Sequence, residues 1–266
     1  MFTAITNSGG VKMKNAKLNW VRLPIDNIEN CRELGGYSTD KGQQTKWHAF
    51  LRSSDLSKIS QEDIEFLKEY GVSTVIDLRR KDEIEKSRNL LGDVDSIDYH
   101  NISFITESVA DITKLKGTEE ISMGDFYIEL LKQRPTVKEI FQTIYHAKDG
   151  TILFNCQVGK DRTGVLAMLL FGIAGVEKKD IISNYEVSFT NLESLQKLLV
   201  QFKQLSSNLF LSNREDIIKA YDHIMTAYGN FNDYLRACGV TQEVIDGVKT
   251  RLVDDYQESR FKVTGN

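Results

Sequence analysis

Proline is nearly absent from this chain of 266 residues, which holds only Pro24 and Pro135. With no Pro/Ser-rich linker and no internal repeat, nothing in the sequence separates one unit from another, and one compact domain is expected over residues 17–266. Cysteine is scarce as well. Cys31, Cys156 and Cys238 are odd in number and far apart, with no Cys-x-x-Cys or paired Cys/His spacing, and the four histidines are scattered. Neither a disulfide framework nor a zinc site follows from that spacing, and no cofactor is expected. An excess of positive charge is missing: 34 Lys and Arg stand against 38 Asp and Glu, for a net charge of −4. No strong basic field recruits nucleic acid. No run approaches the ~18 apolar residues of a membrane helix, so integral membrane association is not expected. Residues 1–16 are polar and glycine-containing, without the apolar block of a secretory signal. They read as a flexible arm, and a cytoplasmic location is expected, with export left open.

What is present is an ordinary globular composition, 41% apolar and 27% charged, with enough apolar material for a sizeable core. Ser60-Gln-Glu-Asp63 resembles a capping box, the apolar residues Ile64, Phe66, Leu67 and Tyr70 follow, and Gly71 stops the pattern; this predicts a short helix. Val72–Ile76 is β-branched and mostly apolar and ends at Asp77-Leu-Arg79, which predicts a buried strand. Residues 122–133 and 136–148 read as helices separated by Pro135. Asp149-Gly150 is a turn signal before the apolar run Thr151–Phe154, a second buried strand. From Thr163 to Ala174 the chain is apolar nearly all round, which places that helix inside the domain. Helical spacing recurs from Phe189 to Leu205, over 213–228 and over 241–255. Helices alternating with buried strands imply an α/β fold, a central mostly parallel sheet flanked by helices.

Between the second strand and the buried helix lies Asn155-Cys-Gln-Val-Gly-Lys-Asp-Arg-Thr-Gly164. A strand–loop–helix unit turns several backbone N–H groups and the positive helix end into one concavity, which suits a phosphate dianion. The Cys156-to-Arg162 spacing sets a thiol at its floor and a guanidinium fork on its rim. A helix N-terminus and nearby cations favour a thiolate, and a thiolate can attack phosphorus to give a phosphocysteine. Thr163 is placed to stabilise the departing sulfur. Asp161 is placed to protonate the leaving oxygen and later to activate water. Gln157, Val158, Gly159 and Lys160 complete the substrate-binding loop. A nucleotide P-loop fails here, because it needs glycine at the position of Phe154 and Ser or Thr at that of Asp161.

These residues resemble the bacterial cysteine phosphatases with a His-Cys-x-x-Gly-Lys-x-Arg-Thr loop, active on phosphotyrosine and often on phosphoinositides. Asn30-Cys-Arg-Glu-Leu-Gly-Gly36 is similar to the family's Asn-x-Arg-Asp-x-Gly-Gly opening. Leu51-Arg-Ser-Ser-Asp-Leu56 is similar to its Arg-Ser-x-x-Leu stretch, Val75-Ile-Asp-Leu-Arg79 to its Asp-Leu-Arg strand end, and Tyr228-Gly…Tyr234-Leu-Arg236 to a C-terminal pattern. The resemblance implies a tyrosine-phosphatase-like fold, a phosphocysteine mechanism without metal, Asp161 as general acid, and Asp77 beside the loop and paired with Lys160. Asp125 and Asp111 are reserve candidates for the acid. Asn155 departs from the family's usual histidine: it keeps hydrogen-bonding capacity but cannot become cationic.

The expected function is protein tyrosine phosphatase, with phosphoinositides or phosphoserine/threonine as added substrates, since Lys160 suits a substrate with more than one phosphate. Two alternatives stand beside it: a small-molecule phosphatase for inositol polyphosphates, and a silent phosphate-binding module. Family members often shield the pocket with an inserted helix pair, and 186–212 is the candidate lid, although its apolar stripe also fits core packing.

Overall fold

The protein is described from a computed structural model over residues 14–105, 122–194, 196–197 and 211–254. Five strands form one sheet: β1 (Arg32–Glu33), β2 (Phe50–Ser53), β3 (Val72–Asp77), β4 (Asp98–Asn101) and β5 (Thr151–Asn155). Their order is β1-β2-β5-β3-β4, and every pairing is parallel except the antiparallel edge β1–β2. The register sets the site. Ser53 of β2 and Asp77 of β3 both pair with Asn155 of β5, so three chain segments end side by side at one edge of the sheet. Parallel α/β sheets bind ligands beyond that carboxyl edge.

The helices are α1 (Gln61–Tyr70), α2 (Lys81–Lys86), α3 (Met123–Leu131), α4 (Arg134–His146), α5 (Asp161–Ala174), α6 (Lys178–Thr190), α7 (Arg214–Tyr228), α8 (Phe231–Ala237) and α9 (Gln242–Leu252). The predicted α1 forms as the sequence dictates. The Ser60 side chain accepts from the Asp63 N–H, and Gly71 closes the helix at φ 103, a left-handed conformation that glycine takes without steric cost. Pro135 lies within the first turn of α4 rather than between two helices, because its missing N–H costs nothing at that position.

The apolar circumference of α5 has a direct cause. It packs against β2 and against α3, α6, α7, α8 and α9, so it has no solvent face. This central helix, with Phe154 on the strand before it, anchors the larger hydrophobic core. A second core lies under α1 and the segment before β1. Of the expected flexible arm, residues 1–13 lie outside the described residues, while Ala16 sits in that second core and the Lys14 ammonium is 2.5 Å from the buried Asp63 carboxylate. Most of the candidate lid, like Asp111, lies outside the described residues. Its first five residues, 186–190, close helix α6. Among the described residues, no helix is long and apolar enough to cross a membrane.

Candidate active site

The loop joining β5 to α5 turns sharply enough to bring one of its own amides onto the cysteine. Cys156 is buried, and the Gly159 N–H donates to its Sγ at 3.3 Å. This turn requires glycine. Gly159 has φ 71, and a Cβ built there would lie 2.5 Å from the Ser53 carbonyl oxygen. We expect Gly159→Ala to cost about 1–3 kcal/mol from the backbone conformation alone, plus displacement of β2 or the loop. Thermal unfolding together with activity measures both; a variant with wild-type melting and turnover would contradict this geometry.

The loop is braced from behind. The Gly159 carbonyl accepts from Asn30 Nδ2 and from Arg52 Nη2, both at 2.8 Å, and Arg52 Nη2 also reaches the Lys160 carbonyl at 3.3 Å. With these carbonyls drawn outward, the amides of the same peptides are left for the concavity, as an anion site needs. Gln157 is held by Asp55, whose backbone N–H donates to the Gln157 carbonyl and whose carboxylate accepts from Gln157 Nε2 at 3.1 Å. The Thr163 hydroxyl is fully buried and finds no hydrogen-bond partner among the described residues.

Arg162 is buried and paired in a fork with Glu83 of α2: Nη1 lies 2.7 Å from Oε2 and Nη2 2.8 Å from Oε1. Burial works against the guanidinium charge. The bond to Glu83, and then the electrostatic pull of Cys156, more than offset it, so the Arg162 pKa is raised. Burial likewise pushes the Glu83 carboxyl up, but Arg162 outweighs it and the pKa is lowered. Such pairing orients a guanidinium before substrate arrives. Glu83 was invisible in the sequence, where Arg80-Lys-Asp-Glu83 reads as a solvated charge run 79 positions from its partner. The only local signal was its spacing to Arg80, whose backbone N–H it caps at 2.9 Å. Glu83→Gln should lower kcat/KM by about 10- to 100-fold through misorientation of Arg162. Turnover equal to wild type would show that the fork is incidental.

Asp161 opens α5. Its Oδ1 accepts from the Tyr127 hydroxyl at 2.5 Å, and the Lys160 ammonium is 3.4 Å away. Tyr127 in turn lies 2.5 Å from the Tyr185 hydroxyl. Because Tyr127 gives its proton to Asp161, Tyr185 donates to Tyr127, a relay from α6 through α3 to α5. Burial, followed by the charge of Asp161, raises the pKa of both phenols. Neither tyrosine was marked by the sequence, since each reads as an apolar-face residue of a helix.

Asp77 is placed differently from expectation. It does not pair with Lys160. Its carboxylate accepts from Arg79 Nε at 2.9 Å and Nη2 at 2.7 Å, from Asn89 Nδ2 at 3.1 Å and from the Tyr99 hydroxyl at 3.1 Å. Arg79 reaches Asp55 at 3.1 Å, so Asp77 acts behind the loop along Arg79, Asp55 and Gln157. A closer cation on the same strand end wins over a distant one. Lys160, also buried, turns instead toward the Leu211 carbonyl at 3.0 Å and Asp161. Asp125 pairs with Lys219 at 2.8 Å on an exposed face. Asn155 accepts from Asn89 at 3.3 Å, and its Nδ2 is buried without a partner among the described residues.

A buried thiol that accepts a loop amide, an arginine held by Glu83 and a carboxylate at the start of α5 thus stand together at one strand–helix junction. The residue pattern of the tyrosine phosphatase family matches residues 23–254, and the chain belongs to that family. A tyrosine-protein phosphatase of Nostoc commune is 32% identical over 219 residues, which cover 77% of this chain and 74% of that protein. The triple specificity protein phosphatase PtpB of Mycobacterium tuberculosis is 23% identical over 250 residues, covering 76% of this chain and 90% of that one. Among solved structures, TpbA of P. aeruginosa aligns over 85% of this chain and 99% of its own, at 12% identity and a TM-score of 0.42. The membership rests on the sequence matches, not on that alignment.

Proposed function

We propose that the protein hydrolyses phosphotyrosine through a phosphocysteine formed on Cys156. The Cys156 thiolate attacks phosphorus, the ester P–O bond breaks, and Asp161 gives its proton to the departing phenolate oxygen. Water then attacks the phosphocysteine, Asp161 takes its proton, the P–S bond breaks toward the Thr163 hydroxyl, and inorganic phosphate leaves. Loop amides from Gln157 to Arg162 and the Arg162 guanidinium carry the charge that grows on the equatorial oxygens. Asp161 suits both proton transfers because Tyr127 fixes Oδ1 and leaves Oδ2 for the proton.

The observation that carries this reading is the Gly159 N–H donating to Cys156 Sγ, since an inert buried cysteine has no need of an amide aimed at its sulfur. The site favours one phosphate at a time. Lys160, the residue suited to a second phosphate, is drawn to the Leu211 carbonyl and the Asp161 carboxylate. A metal-free panel of phosphotyrosine peptide, phosphoinositide and inositol polyphosphate tests this. The highest kcat/KM is expected on the peptide, and preferred turnover of the polyphosphate would overturn the assignment.

A further inference from the structure

Two arginines from the motifs around Asn30 and Arg52 lie under the catalytic loop and take no part in the chemistry above. Both are buried, Arg52 completely. Neither is paired with a carboxylate among the described residues. Arg52 donates only to neutral oxygens: Asn184 Oδ1 at 2.7 Å, the Gly159 carbonyl at 2.8 Å and the Lys160 carbonyl at 3.3 Å. Arg32 donates to the Asn30 carbonyl at 3.3 Å, to Asn30 Oδ1, to the Asn184 carbonyl at 2.7 Å and to Ser188 Oγ at 2.9 Å. In each, the Nε is buried without a partner among the described residues. A guanidinium taken out of water without a counter-ion is costly, and a fold keeps one where an anion is to be met.

Resting on the assignment of Cys156 as nucleophile, we propose that Arg52 is a positioning residue of the active site. Locked beneath the loop by two of its carbonyls, its guanidinium supplies the fixed counter-charge for the sulfur anion. Arg32 keeps it in place through Asn30 and Asn184. The register supports this: Arg52 pairs with Phe154 across β2 and β5, two residues before Cys156. The residue directly before the cysteine is Asn155, which brings no charge of its own. Several charged and titratable groups among the described residues bear on Arg52. They are Arg32 from β1, Tyr37 from the following loop, Tyr127 from α3, Tyr185 from α6, and Cys156. Arg162, Lys160 and Asp161 from the start of α5 and Glu83 from α2 complete the charged surroundings of the sulfur. Burial pulls the Arg52 pKa down to about 10, and the electrostatic pull of Cys156 is the first influence opposing it. Arg52 therefore stays cationic at neutral pH.

A strut that merely holds carbonyls would act the same whether or not its charge were neutralised, and that separates the two roles. Asn184→Asp keeps Arg52 and its hydrogen bond but sets a carboxylate in the place of Oδ1, 2.7 Å from the guanidinium. The Tyr37 hydroxyl that now accepts from Asn184 Nδ2 can donate to the new oxygen. Iodoacetamide labelling of Cys156, read by peptide mass spectrometry at several pH values, reports the sulfur directly and needs no turnover. We expect Asn184→Asp to melt no lower than wild type, yet to label about tenfold more slowly at pH 6.5, with the acid limb of kcat/KM displaced upward in pH by the same amount. Labelling and pH profile equal to wild type would overturn the proposal. Should Asn184→Asp fail to fold, Arg52→Lys decides, since it keeps the charge and loses the fork. Near-wild-type labelling supports the charge role, and a tenfold loss overturns it. If wild-type Cys156 itself labels like a free cysteine, the nucleophile assignment fails instead.

Discussion

Cys156→Ser is expected to lower phosphotyrosine turnover by about ten-thousandfold or more, the scale on which removing a covalent nucleophile acts. The hydroxyl keeps its proton at neutral pH, so no anion is available to attack phosphorus. Binding should survive. The cradle is braced by Asn30 and Arg52 on the Gly159 carbonyl, contacts that do not involve the sulfur. The variant should therefore hold a phosphotyrosine peptide with a dissociation constant close to the wild-type KM, and isothermal titration would show it. Loss of binding together with loss of turnover would mean that the substitution collapses the loop, and the comparison would then say nothing about chemistry. Turnover within about tenfold of wild type would remove the nucleophile from the account altogether.

Arg162→Lys is the second large effect, a fall in kcat of about a thousandfold. The guanidinium has two tasks that one ammonium cannot share. It is held by both Glu83 oxygens, at 2.7 and 2.8 Å, and must still present N–H groups to the phosphoryl oxygens. Lysine offers a single point charge on a flexible stem, and in this buried position that charge would settle on Glu83. The defect should fall mostly on kcat, because the fork is worth most when charge on the equatorial oxygens grows. Phosphotyrosine kinetics at saturation separate the cases: a change confined to KM would mean that Arg162 binds the ground state only.

Much of this site could be read from residue order, because its central unit is local. Cys156 to Thr163 are consecutive, the strand before them is a plain apolar run and the helix after them is apolar all round, so loop, thiol and arginine come from one stretch of chain. The sheet followed from β3 and β5 alone. β2 gave little apolar signal, since Arg52 and Ser53 are polar residues buried to serve the loop rather than the core. What could not be read is what arrives from elsewhere in the fold. Glu83 reaches Arg162 only because the β3 strand end runs beside β5. Tyr127 reaches Asp161 only because α3 packs on α5. The expected Asp77–Lys160 pair failed for a related reason. Order along the chain does not reveal that Arg79, two residues on, occupies both oxygens of that carboxylate.

The relay of Tyr185, Tyr127 and Asp161 connects this packing to function. Two phenols whose protons are held by burial and by the nearby carboxylate cannot themselves act as acids near neutral pH. In the proposed mechanism their service is orientation, fixing one oxygen of Asp161 and leaving the other for the substrate. Shape and charge thus converge on one atom, the sulfur at the foot of α5.

Trapping the covalent intermediate tests that convergence most directly. Wild-type protein mixed with phosphotyrosine peptide, quenched in acid within milliseconds and digested, should carry a phosphate-mass adduct on the peptide containing Cys156. The adduct should rise and decay at rates matching turnover. Full turnover with no phosphate on that peptide, or phosphate carried by another residue, would contradict the account.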